Sequence, residues 1–90
     1  MGKMIILDPG AQPALVECDR APDPQEMADL LGGPVDFAGI RYEGEDAQLF
    51  VIDGTGPANN EATALAAMVP GWRQAVAGRA LILAGGLRWF

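Results

Sequence analysis

The segment Leu49-Phe50-Val51-Ile52-Asp53-Gly54-Thr55-Gly56-Pro57-Ala58-Asn59-Asn60-Glu61-Ala62-Thr63-Ala64-Leu65 restricts this chain more than any other. A short continuous apolar run reads as a buried strand, and the glycines and Pro57 after it cannot continue a strand or begin a helix at once. Asn59 or Asn60 then supplies a cap for a helix from Glu61 to about Val69, which Pro70-Gly71 ends. A buried strand needs partner strands and cover. The rest of the chain must provide them.

The remaining segments are of the right kind. Met4-Ile5-Ile6-Leu7 is an apolar run stopped by Asp8-Pro9-Gly10 and reads as a central strand. Ala14 to Cys18 follows after a short connection, which favours a hairpin, with Cys18 alternating onto one face with Ala14 and Val16 as a small core side chain. Asp23-Pro24-Gln25-Glu26 is a helix start: Asp23 caps, proline suits the first helical position, and Glu26 completes a capping box. Met27, Leu30 and Leu31 form its apolar stripe, and Gly32-Gly33 stops it before Pro34. From Val35 to Tyr42 the chain alternates, with Val35, Phe37, Gly39 and Arg41 on one face and Asp36, Ala38, Ile40 and Tyr42 on the other. Glu43 to Asp46 reads as a solvated turn without the ligand spacing of a calcium loop. Trp72 to Ala77 is ambiguous, Arg79 to Ala84 is a final apolar strand, and Leu87 to Phe90 is a last short strand or an arm. Residues 1–90 therefore predict a single α+β domain, a mostly antiparallel sheet of about five strands with two short helices.

Composition bears mainly on chemistry. The chain has one cysteine and no histidine, and it also lacks serine. Serine triads, cysteine–histidine pairs, histidine-ligated zinc and internal disulfides are thereby excluded. Asp53 and Glu61 are the only carboxylates flanking the glycine turn, with no nucleophile or metal cluster beside them, so no enzyme, catalytic residue, metal or cofactor is expected. Met1 to Leu7 is too short to be a signal peptide, and no run approaches the ~20 apolar residues of a membrane span. The expectation is a cytosolic protein with no membrane contact.

Charge is unevenly placed within a net of −6. All twelve carboxylates lie between Asp8 and Glu61 against Lys3, Arg20 and Arg41, whereas Arg73, Arg79 and Arg88 stand in a stretch without any acid. That asymmetry suits a small anion or a complementary subunit surface and disfavours extended nucleic acid. The small core also favours a homo-oligomer as a way to bury further surface.

Three features carry the binding expectation. Gly54, Thr55 and Gly56 beside a capped helix start can form an anion nest or merely a tight turn. Of Asn59 and Asn60 only one is needed as cap, which leaves the other, with Glu61 and Thr63, to face a ligand or a neighbouring subunit. Trp72 beside Arg73, and Arg88 beside Trp89 and Phe90, pair large rings with cations, as at interfaces and on flat ligands. Trp72 is expected in or near the core, and Trp89-Phe90 is expected to dock on another surface.

The order of elements resembles a family of small phage and mobile-element proteins known as domain of unknown function 3846. Leu31-Gly32-Gly33-Pro34-Val35-Asp36 is similar to that family's helix-ending double glycine and following strand. Leu49 to Asp53, with Asn59 or Asn60 and Ala62-Thr63, resembles its strand, turn and asparagine-bearing helix start; Asp53-Gly54 stands here where the family often has Asn-Glu. Ala77-Gly78-Arg79-Ala80-Leu81-Ile82-Leu83-Ala84-Gly85 resembles its final glycine-led strand. The resemblance implies an accessory gene acting between phage and host, and no activity. The expectation is a non-enzymatic oligomeric binder, in its specific form a counter-defence protein that sequesters a host signalling nucleotide. In that form Thr55 and the asparagines would hold polar edges, Arg73 or Arg88 the phosphate, and Trp72 or Trp89 the base. Two alternatives are a protein-partner inhibitor that uses its acidic surface, and a purely structural oligomer.

Overall fold

The computed structural model describes residues 2–52, 56–72, 75–87 and 89. Its elements run β1 (Gly2–Leu7), β2 (Ala14–Cys18), α1 (Pro24–Leu31), β3 (Val35–Tyr42), β4 (Glu45–Ile52), α2 (Asn60–Ala66) and β5 (Ala80–Ala84). The five strands form one antiparallel sheet in the order β2-β1-β5-β4-β3. This is the expected α+β fold, with one change of place. β1 is interior, but the middle strand is β5, all five of whose residues are buried.

Each face of the sheet carries one helix. On one side Ile5, Leu7, Leu49, Val51 and Ile82 pack with Ala62 and Ala66 of α2. On the other, Met4, Phe50, Leu81 and Leu83 pack with Met27 and Leu31 of α1. The apolar alternation along each strand thus serves two cores, which is why the central strands read as continuous apolar runs. Among the described residues no helix is long and apolar enough to cross a membrane.

α1 begins as its residues dictate. The Asp23 carboxylate accepts from the Glu26 amide at 2.8 Å, and Glu26 accepts from the Asp23 amide at 3.2 Å. It stops where the Gly32 and Gly33 amides both donate to the Ala28 carbonyl. The β3–β4 turn is tighter than expected. Tyr42 pairs with Glu45, so only Glu43 and Gly44 are in the loop, both with positive φ, as a two-residue hairpin turn requires. Glu45 and Asp46 belong to β4 because each finds a partner there: Glu45 Oε1 accepts from the Gly85 amide at 2.7 Å, and Asp46 pairs with Arg41 at 3.4 Å. α2 is shorter than expected, ending at Ala66 in a series of turns.

The expectation for β2 is corrected. Ala14 and Val16 do not face a core; both are exposed, and only Cys18 is half-buried. Five strands span roughly 19 Å at ~4.8 Å spacing, whereas one helix covers about 10 Å of that width. With one short helix on each face, the edge strand remains uncovered on both sides.

Candidate functional site

The segment after β4 is laid against the segment before β5. Ala58 bridges Ala77, the Asn59 amide donates to the Val76 carbonyl at 2.8 Å, and the Gly78 amide donates to the Pro57 carbonyl at 2.9 Å. Asn59 is the helix cap, and it is only 2% exposed. Its Oδ1 accepts from the Ala62 amide at 3.1 Å, while Nδ2 donates to the Leu7 and Gly78 carbonyls, both at 2.8 Å. One side chain therefore ties the end of β1, the start of α2 and the approach to β5.

Thr63 is occupied in the same way. Its hydroxyl donates to the Asn59 carbonyl and accepts from the Val76 amide, each at 2.8 Å. Of the expected ligand-binding residues, Asn59 and Thr63 thus face inward with their polar groups used. Gly56, Asn60 and Glu61 are exposed on the outside of the same region. Gly54, Thr55, Arg73 and Arg88 lie outside the described residues. Asn59 and Thr63 spend their polar groups on backbone partners because a buried amide and hydroxyl must satisfy groups that water cannot reach. Among the described residues no buried side-chain nitrogen or oxygen lacks a partner.

The aromatic expectations divide. Trp72 is half-buried against the α2-side core, as expected, with its amide donating to the Val69 carbonyl. Trp89 is corrected: the surface on which it docks is its own sheet. Its ring meets Phe50 edge-on at 4.8 Å and Phe37 at 5.3 Å, and those two phenyl rings stack at 5.2 Å. The indole Nε1 donates to the Pro22 carbonyl at 2.8 Å and the backbone amide donates to Gln48 Oε1 at 2.8 Å. An indole offers a large apolar face with one donor, and this groove offers an aromatic floor with one acceptor. Phe90 lies outside the described residues. Leu87 anchors the same arm, its side chain resting directly on Gly2.

Electrostatics then set what the surface can recognise. Each described arginine is already engaged: Arg20 with Glu26 at 2.9 Å, Arg41 with Asp46, and Arg79 with both oxygens of Asp8 at 2.7 and 3.3 Å. Glu17, Asp19, Asp23, Asp29, Asp36, Glu43 and Glu61 are exposed and make no ion pair among the described residues. The Arg20 guanidinium and the capping contact with Asp23 hold the Glu26 carboxyl below the usual range. Tyr42 is pushed the other way, by burial first and then by the charges of Glu43 and Glu61. Among the described residues no group of three or more acidic, cysteine or histidine side chains could hold a metal ion.

The uncovered strand β2 was not singled out in the sequence. It pairs with β1 along one edge, and its residues Leu15 and Val16 are 62% and 38% exposed, one on each face. Its register against β1 places Leu15 beside Ile5 and Val16 beside Met4. The run Ala14–Cys18, apolar except for Glu17, carries no sign of that exposure.

Compared with models of known families, with curated proteins and with solved structures, the chain gives no match in any of the three.

Proposed function

We propose that this is a non-catalytic binding protein that acts on a cationic protein surface. The observation that carries the reading is the state of its charges. Among the described residues the arginines are neutralised by carboxylates of the chain itself, while seven exposed carboxylates are left without an ion pair. Such a surface raises the local concentration of positive partners and repels anions. A nucleotide would find the Asn59 amide and the Thr63 hydroxyl committed to backbone groups. Sequestration of a signalling nucleotide would thus rest on Gly54, Thr55, Arg73 and Arg88, outside the described residues. We take the resemblance to the 3846 family as pointing to a host protein as the partner.

The test compares the wild type with Glu17→Gln/Asp19→Asn/Glu43→Gln/Glu61→Gln in affinity capture from host lysate, with native mass spectrometry of the purified protein. Glu45 and Asp46 are left alone, because they hold Gly85 and Arg41. The expected result is a basic partner retained by the wild type, released as salt rises, and lost by the variant, with no small adduct on the native protein. A nucleotide-sized mass that disappears on denaturation would overturn the reading in favour of sequestration.

A further inference from the structure

We infer that the open edge of β2 is the contact site for this partner, and that it takes an extended segment with alternating cationic and apolar residues as a sixth strand. The inference rests on the reading of the protein as a binder of cationic surfaces and adds where and how binding occurs.

Both sheet edges end in a strand with one unpaired side, but they differ. In β3 the apolar residues are drawn into the two cores, and the exposed positions are Asp36, Gly39 and Arg41. In β2 two large apolar side chains stand in water, and a single charged residue, Glu17, guards the strand. Protected edges carry inward charges, prolines or bulges; the five paired residues of β2 contain no proline and keep continuous register with β1. An added strand would satisfy that row of backbone groups, and its alternate side chains would fall on the two faces.

The faces then select the side chains. On the α1 side, the groove beside Cys18 is lined by Asp19, Glu26 and Asp29, with Arg20 already bound to Glu26. On the α2 side the groove is built from Ile5, Pro13, Leu15 and Tyr42, with Lys3 and Glu43 of opposite sign at its rim. A strand of alternating lysine and an aliphatic residue places cations toward the carboxylates and apolar groups on Leu15. A second copy of this chain fits poorly, since it would bring its own Glu17 and Asp19 to the same edge and a net charge of −6.

The probe is the capped peptide Lys-Val-Lys-Val-Lys-Val-Lys, followed by amide shifts of the protein and by fluorescence anisotropy. It is compared with a block peptide of the same composition and with two N-methylated forms, one at every lysine and one at every valine. Amide groups of successive residues point to opposite edges of a strand, so all lysine amides share one edge and all valine amides the other, and the expected result is that one methylated form loses at least tenfold in affinity and the other keeps it. Shifts should centre on Leu15, Val16 and Glu17, and Leu15→Lys should weaken binding by a similar factor without changing the Trp89 environment. Equal binding of alternating, block and both methylated peptides, falling with salt, would overturn strand addition and leave the acidic-surface reading standing. Binding of no cationic peptide would count against both. A wild-type dimer converted to monomer by Leu15→Lys would overturn the proposal by assigning the edge to a second copy.

Discussion

Replacing Asn59 tests whether one buried amide joins three elements. In Asn59→Ala the helix loses its cap, which costs ~1 kcal/mol. The Leu7 and Gly78 carbonyls lose their shared donor. The buried Leu7 carbonyl, left unsatisfied, costs about 1–3 kcal/mol and the part-buried Gly78 carbonyl about 1 kcal/mol, less whatever an entering water recovers. A total of roughly 3–5 kcal/mol is a large part of the 5–13 kcal/mol expected for a domain of this size. With a urea dependence of about 1–1.5 kcal/mol per molar, the unfolding midpoint should fall by roughly 2–5 M. Asn59→Ser keeps the cap oxygen and should recover about 1 kcal/mol of that loss. Asn59→Asp is more telling. It also keeps the cap acceptor, but when ionised it turns a charged oxygen toward two carbonyl oxygens. The folded state then favours the protonated acid, whose hydroxyl can donate to one of them, so the carboxyl pKa lies above its unfolded value of ~3.9. A raised pKa means that the penalty is smallest below the unfolded value and grows as the pH rises past it. Urea melts of Asn59→Asp against wild type at acidic and neutral pH measure this directly. A midpoint shift under about 0.5 M for Asn59→Ala, or an Asn59→Asp penalty equal at both pH values, would refute the bridging role.

Two further outcomes follow from local geometry. A Cβ at position 2 would stand 2.0 Å from Leu87 Cγ, so Gly2→Ala should displace the C-terminal arm, cost about 1–3 kcal/mol and change Trp89 fluorescence. Gly2→Ala combined with Leu87→Ala should be less destabilising than the sum of the two, which chemical denaturation of the three variants will show. Tyr42 should ionise above the ordinary tyrosine value of 10.0, followed by phenolate absorbance, because burial and the Glu43 and Glu61 charges disfavour the phenolate. Stability linked to this group is complete below the unfolded pKa and is lost as pH rises from there through the raised folded pKa; Glu43→Gln/Glu61→Gln should lower the Tyr42 midpoint.

What the sequence revealed followed the range of the interaction. α1 was legible because Asp23 and Glu26 lie three residues apart and signal to each other. β1, β3 and β5 were legible because apolar pattern and flanking turns are local. The β3–β4 turn was misplaced because Glu45 and Asp46 are polar, and their partners Gly85 and Arg41 become visible only once strands are paired. Asn59 could be recognised as a cap, but not as the residue that reaches Leu7, 52 positions away in the chain. Trp89 was assigned to a foreign surface for the same reason: its aromatic floor and its acceptor come from Phe37, Phe50 and Pro22. Exposure of β2 depends on how far two short helices extend across a sheet, which no single segment encodes.

The middle position of β5 has a consequence for the order in which the sheet can form. β1 and β4 do not pair with each other; each meets the other half of the sheet only through the strand that comes last in sequence. Until β5 is inserted, the β1–β2 and β3–β4 hairpins are separate units with facing edges rich in Ile5, Leu7, Leu49 and Val51. Neither hairpin can settle as an intermediate of its own, since an isolated pair of strands is marginal in water. Assembly is therefore a late, nearly all-or-none event governed by distant contacts, and a chain stopped short of Ala80 would present two adhesive edges to its neighbours instead of one finished sheet.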